Sequence, residues 1–193
     1  MSHSLIIASN NAHKVTEIQA LIGDDFILKT LAEIGFDADI PETGTTLTEN
    51  ALIKARHIYA QFGQDCFADD SGLEIEALNM EPGVYSARYA GEPVNHQKNN
   101  EKVLQALDGK SNRKAYFRTV IALILAGKEY LFEGKIEGEI QTHLTGINGF
   151  GYDPIFKPTG YDKTFAEMDL LEKSTISHRG IAVEKLANFL KSI

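Results

Sequence analysis

The sequence predicts a mixed α/β fold, a long central β-sheet with helices, in two lobes flanking a cleft. Three observations point there. Short apolar runs alternate with helix-period segments in the first part of the chain. A long apolar run, Ala115–Ala126, turns at Gly127-Lys128 into a second long strand, and a helix-period segment closes the chain. A length of 193 residues suits one domain built of two lobes over 1–193.

The elements follow in order. Leu5-Ile6-Ile7-Ala8 is an apolar run that breaks off at Ser9-Asn10-Asn11, as a short buried strand does. Val15, Ile18, Leu21 and Ile22 then repeat at helical spacing up to Gly23, and Phe26 to Leu31 forms a second strand. Leu47, Ala51, Ala55, Ile58 and Phe62 mark a longer helix, opened by Gly44-Thr45-Thr46 and closed by Gly63. Cys66-Phe67-Ala68 is expected as a buried strand, and the alternating Leu73–Ala77 as a half-exposed one. Val103, Leu104 and Leu107 belong to a helix that stops at Asp108-Gly109. Val120–Leu125 is apolar on both faces, so its strand lies centrally in the sheet; Tyr130–Leu144 is its partner, with bulges at Gly134 and Gly138. The last helix runs from about Gly180, with Ile181, Leu186, Ala187 and Leu190 on one face.

Composition narrows the function classes. The 19 Lys plus Arg against 27 Asp plus Glu leave a net charge of −8, which disfavours binding to nucleic-acid polymers. The lone Cys66 rules out an intramolecular disulfide framework and a multi-cysteine zinc site, and a reducing cytoplasm is the natural compartment. The apolar run after Ser4 is too short for a signal-peptide core or a membrane span.

Five segments carry chemistry. Ser9-Asn10-Asn11-Ala12-His13-Lys14 lies between a strand and a helix, where unpaired backbone N–H groups suit a phosphate; an N-cap with a solvated lysine is the plainer alternative. A cation in the first turn opposes the helix dipole and favours a bound anion there. The segment is neither a Walker A loop nor a Rossmann fingerprint. Glu42 sits in the loop before the helix that carries Asn50 and Lys54, four apart and on one face. Asp69-Asp70-Ser71-Gly72 sets adjacent carboxylates just past a buried strand, which suits Mg²⁺ or, equally, an Asp-Ser-Gly turn. Gly149-Phe150-Gly151-Tyr152-Asp153 lets backbone approach a flat ligand beside an aromatic face, or is a tight surface turn. Lys173, His178 and Arg179 cluster at the start of the last helix, with Ser177 as a candidate N-cap.

Taken together, these segments resemble a known family. Ser-Asn-Asn-Ala-His-Lys (9–14), Glu-Thr-Gly (42–44), Glu-Asn-Ala…Lys-Ala-Arg (49–56), Ala-Asp-Asp-Ser-Gly-Leu (68–73), Pro-Gly-Val-Tyr-Ser-Ala-Arg-Tyr-Ala-Gly (82–91), Gly-Phe-Gly-Tyr-Asp-Pro-Ile-Phe (149–156) and Glu-Lys-Ser…Ser-His-Arg-Gly (172–180) match, in order, the inosine triphosphate pyrophosphatase family. Ser9 stands where many members have Thr, and Pro41 where some carry a further glutamate. The resemblance implies a nucleotide-binding cleft, Mg²⁺ as cofactor, a homodimer, and hydrolysis of dITP, ITP and XTP between the α and β phosphates. It implies a house-cleaning role on non-canonical purine nucleotides. By the same resemblance Ser9, Asn10, Asn11, Ala12, His13 and Lys14 cradle the triphosphate with Lys54; Asp70 is the catalytic carboxylate and a metal ligand. Glu42 and Asp69 stand on the metal side, and Ser71 contacts substrate. Phe150, Gly151, Tyr152 and Asp153 form the base loop, with Lys173, His178 and Arg179 at the base edge. A Maf-like pyrophosphatase and a nucleotide sensor without catalysis are the alternatives.

Overall fold

The apolar run at the start of the chain forms β1 (His3–Ile7), and helix-period residues follow as α1 (Ala12–Ile22). This computed structural model describes residues 3–9, 11–22 and 26–192. Asn10, the His13 side chain and the helix end expected at Gly23 lie outside the described residues. β2 (Phe26–Thr30) and α2 (Leu47–Phe62) stand where the sequence places them. Thr46 caps α2 by accepting from the Glu49 N–H, Glu49 reaches back to the cap, and Gly63 closes the helix at φ 60°.

β3 departs from expectation. Cys66–Ile75 is one continuous strand, so Asp69-Asp70-Ser71-Gly72 is extended backbone rather than a turn, and Leu73–Ile75 is buried instead of half-exposed. α3 (His96–Ala106) is capped by Asn95, which accepts from the Lys98 N–H. β4 (Lys114–Leu125) and β5 (Lys128–Ile140) are joined by Ala126-Gly127, both at positive φ as a tight hairpin turn requires. A short β6 (Phe156–Pro158) pairs antiparallel to β5, with Gly138 opposite Pro158. A side chain at Gly138 would collide with the Lys157 carbonyl and the Phe156 ring, so this glycine permits close strand approach. α4 (Leu170–Ile176), which the sequence reading lacks, is capped by Asp169 and ends at Ser177; α5 (His178–Lys191) follows. Ser177 thus ends one helix rather than only beginning another.

The strands are ordered β2-β1-β3-β4-β5-β6, with β1 parallel to both β2 and β3. β4 is central, as its two-faced apolarity predicts. The chain divides into two compact units. The first comprises 1–70, 119–134 and 179–193, and the second 71–118 and 135–178. The first unit's core joins Leu5 and Ile7 of β1, Ile18 and Ile22 of α1, Phe67 of β3, and Ala182, Val183 and Leu186 of α5. The second unit's core joins Leu73, Val103, Leu107, Phe117, Phe156 and Phe165, with Tyr152 among them.

Candidate active site

The first unit gathers a charged constellation from four elements. At the start of α1, Asn11 is the N-cap: its Oδ1 accepts from the Lys14 N–H at 3.2 Å, and Ser9 Oγ accepts from the Asn11 N–H. The N-cap half of the plain alternative therefore holds. The solvated lysine does not, because Lys14 Nζ lies 2.9 Å from Asp69 Oδ2 and its side chain is 16% exposed. Arg179, in the first turn of α5, reaches the same carboxylate oxygen at 3.8 Å.

Strand parity explains the neighbouring pair. Alternate residues of a strand face opposite ways. Cys66 Sγ donates to the Ala55 carbonyl of α2, whereas Phe67 packs into the core with α1 and α5. Asp69 continues the Phe67 face and meets Lys14 and Arg179; Asp70 continues the Cys66 face and meets Lys54 of α2 at 3.6 Å. Asp69 is thus the counter-ion of Lys14 and of the buried Arg179, on the face opposite Asp70. Among the described residues, no cluster of three or more His, Cys, Asp or Glu is placed to hold a metal ion.

Glu42 and Asp70 do converge. Lys54 Nζ sits 2.7 Å from Glu42 Oε1 and 3.6 Å from Asp70 Oδ1. Asn50, one turn before Lys54 and buried with it, accepts from the Gly44 N–H at 2.8 Å and also hydrogen-bonds Asp70. It thus anchors the Glu42 loop to the helix that carries Lys54. Gly44 is required there, since a Cβ would lie 2.6 Å from Glu49 Cβ and 2.7 Å from Asn50 Oδ1.

The two aspartates ionise differently. Burial raises the Asp69 carboxyl, but Lys14, Arg179 and Lys54 together hold it well below the usual carboxylate range. Asp70 is pushed above its ordinary value by burial, and Glu42 adds to this against the pull of Lys54. Burial lowers the Lys14 ammonium in spite of Asp69. Lys54 stays raised because Asp70 and Glu42 outweigh its burial.

The second unit holds the glycine-aromatic loop. Asp153 Oδ2 accepts from the Phe150 N–H and from Lys173 Nζ, both at 2.8 Å, in a buried ion pair. Gly149 is needed here because a Cβ would strike the Asp153 carboxylate. Lys173 Nζ also stands 5.0 Å from the Phe150 ring centre. Tyr152, one of the aromatics expected to offer a stacking face, is 4% exposed and donates its hydroxyl to the Ser86 carbonyl at 2.8 Å. Phe150 is half-buried and so less enclosed than Tyr152. His178 is buried and stacks on Phe117, rings 4.5 Å apart and 8° from parallel. Ser71 follows Asp70 in β3 and is half-buried.

Structure thus brings Lys14, Asp69 and Arg179 into one cluster, Glu42, Lys54 and Asp70 into another, and Phe150, Asp153 and Lys173 into a third. Sequence reasoning missed the anchoring role of Asn50 and all of Asn99 and Asn100. Two adjacent amides just ahead of the helix-period residues Val103, Leu104 and Leu107, where such side chains are poor helix formers, were the available signal.

Residues 5–189 match the Ham1 family. A dITP/XTP pyrophosphatase of Flavobacterium johnsoniae is 53% identical over 186 residues, covering 96% of this chain and 97% of that protein. Its counterpart in Porphyromonas gingivalis is 52% identical over 187 residues, with 96% of each covered. Among solved structures, a HAM1 protein from Coxiella burnetii superposes with a TM-score of 0.92 at 43% identity, covering 99% of this chain and 100% of that one. The Staphylococcus aureus Ham1 protein gives 0.90 at 41% identity, with 98% of each chain covered. With its motifs in order, its mixed sheet reproduced in solved relatives and its match to the family over nearly its full length, the chain belongs to the Ham1 family.

Proposed function

We propose that this protein is a dITP/XTP pyrophosphatase that hydrolyses dITP, ITP and XTP to the nucleoside monophosphate and pyrophosphate, clearing non-canonical purines from the nucleotide pool. Relatives of that name, about half identical along nearly the whole chain, support the activity. The observation that carries the chemistry is the convergence of Glu42 and Asp70 on Lys54.

Glu42 and Asp70 would hold a divalent cation, and their hard oxygens suit Mg²⁺, which keeps waters and substrate phosphates as further ligands. When bound, the ion neutralises phosphate charge and polarises the phosphate under attack. Charge balance favours such an ion: Lys14, Lys54 and Arg179 are already matched by Glu42, Asp69 and Asp70, so a triphosphate arrives without surplus positive charge. Asp70, less acidic than an ordinary aspartate, is suited to accept a proton from the water that attacks the α-phosphorus. The bond from that phosphorus to the oxygen bridging the β-phosphate breaks, and pyrophosphate departs. Lys14 and Lys54, with Ser9 and Asn11 ahead of α1 and Ala12 and His13 at its start, stabilise the triphosphate and its leaving group. Asp69 acts by fixing Lys14 and Arg179.

Base selection falls to the second unit. Phe150 offers a ring face to the purine, and Ser71, Lys173 and His178 supply polar contacts. Hypoxanthine and xanthine carry a 6-oxo acceptor where adenine carries a donor, and a site built on such pairing rejects the wrong group by about 10⁴-fold or more. The same reading includes a homodimer in the cytoplasm, as one domain of two lobes; no described helix is long and apolar enough to cross a membrane. Pyrophosphate release from dITP, XTP, dATP and dGTP with Mg²⁺ tests the whole. Equal rates on all four overturn the house-cleaning role, and near-normal turnover by Asp70→Asn overturns the assignment of the base.

A further inference from the structure

The motif Pro82–Gly91 has no part in the chemistry above, yet it is tied to the base loop through one helix. On α3, Asn99 donates from Nδ2 to the Ala87 carbonyl at 2.9 Å and accepts from the Ala90 N–H at 2.7 Å. Its neighbour Asn100 donates from Nδ2 to the Gly151 carbonyl at 2.9 Å and to the His96 carbonyl, also at 2.9 Å. Ser86 joins the two sides: its carbonyl accepts from Tyr152 Oη at 2.8 Å, and its hydroxyl accepts from the Leu73 N–H at 2.9 Å. Phe150 is therefore held on one side through its own N–H by Asp153, and on the other through the Gly151 carbonyl by Asn100.

One detail separates support of the loop from filling of the core. Asn100 is 2% exposed, and its Oδ1 is buried with no hydrogen-bond partner among the described residues. A buried acceptor left unmade opposes folding, and an apolar side chain of the same shape would avoid that penalty. The unmade acceptor offsets what the bond to Gly151 adds to stability, so the clear contribution of the amide is its hold on that carbonyl.

We infer that Asn100 is a positioning residue for base recognition, using its amide to hold the Gly151 carbonyl and so set the Phe150 ring that receives the purine. This rests on the reading of 150–153 as the base loop. Asn100 acts on substrate binding and leaves the phosphoryl chemistry to the first unit.

The test is steady-state kinetics of pyrophosphate release from dITP with Mg²⁺, paired with thermal melting, on the wild-type protein, Asn100→Leu and Asn100→Asp. For Asn100→Leu the melting temperature is expected within a few degrees of the wild type, relief of the unmade Oδ1 offsetting the loss of the Gly151 carbonyl's donor, with KM for dITP raised about tenfold and kcat within about threefold, the loss of one positioning hydrogen bond. Asn100→Asp removes the donor, keeps the shape and is expected to raise KM at least as much. An unchanged KM in folded Asn100→Leu overturns the inference, as does a lower kcat and melting temperature at unchanged KM, the pattern of a merely structural residue. If Asn100→Leu does not fold, KM for Asn100→Asp decides by the same criterion. Failure of the wild type to hydrolyse dITP would instead refute the proposed function.

Discussion

Asp69 and Asp70 are adjacent in sequence, and replacing each by asparagine is expected to have opposite effects on stability. Asp69→Asn removes the partner of Lys14 at 2.9 Å and of Arg179 at 3.8 Å, whose side chains are 16% and 3% exposed. Removing one member of a buried ion pair costs about 3–5 kcal/mol, because the remaining charge is left desolvated. An amide still accepts one hydrogen bond, so the lower end applies, about 3 kcal/mol, or roughly 6–12 °C in Tm for a chain of this size. Asp70 lies on the other face, where burial and Glu42 disfavour its charge more than Lys54 favours it. Lys54 keeps Glu42 at 2.7 Å when Asp70 becomes neutral. Asp70→Asn is therefore expected to stay within about 1 kcal/mol of the wild type, or to exceed it, while losing turnover by orders of magnitude. Urea unfolding of the three proteins, followed by far-UV circular dichroism, measures the difference directly. Equal destabilisation by both substitutions, or Asp69→Asn indistinguishable from wild type, refutes the assignment of the two carboxylates to opposite faces with opposite roles.

Three further outcomes follow from the same structure. Burial and then Asp65 push the Cys66 thiol up to about 12, so at pH 8 only about one part in ten thousand is thiolate; a disulfide reagent should label it only on unfolding, and rapid labelling of native protein contradicts its placement behind α2. Gly138→Ala forces a methyl against the Lys157 carbonyl and the Phe156 ring, and overpacking of this kind is expected to destabilise by about 1–3 kcal/mol, read as a lower urea midpoint. Chelation by EDTA should abolish pyrophosphate release and added Mg²⁺ restore it; activity that survives exhaustive chelation removes the metal from the mechanism.

The fold was legible wherever local chemistry and tertiary contacts agree. Thr46, Glu49 and Gly63 bound α2 through capping interactions internal to a few residues, and the two-faced apolarity of Val120–Leu125 announces a central strand. Asp69–Gly72 was misleading because Asp, Ser and Gly favour turns locally. What meets the two carboxylates of the segment lies far away in sequence, in Lys14, Lys54 and Arg179. α4 escaped notice because Leu170–Ile176 spans barely two turns, too short for a periodicity to declare itself. Asp169, which accepts from the Glu172 N–H, was the local sign of its start. The residue types of the site were legible as a set. Their division between the faces of β3, and the commitment of Tyr152 to the core, depend on the strand's parity and on Ser86, which no local pattern encodes.

The alignment of β3 on β1, Ile6 beside Cys66 and Ile7 beside Phe67, also sets a rule for how this segment can vary in length. Adding or deleting one residue between Phe67 and Asp69 would turn each later side chain to the other face, bringing a carboxylate meant for α1 and α5 towards α2. Natural variants should therefore keep this stretch free of single-residue insertions and deletions even where the residues themselves change. The exposed bend at Gly91–Val94, before α3, carries no such indexing and is where changes of length should collect.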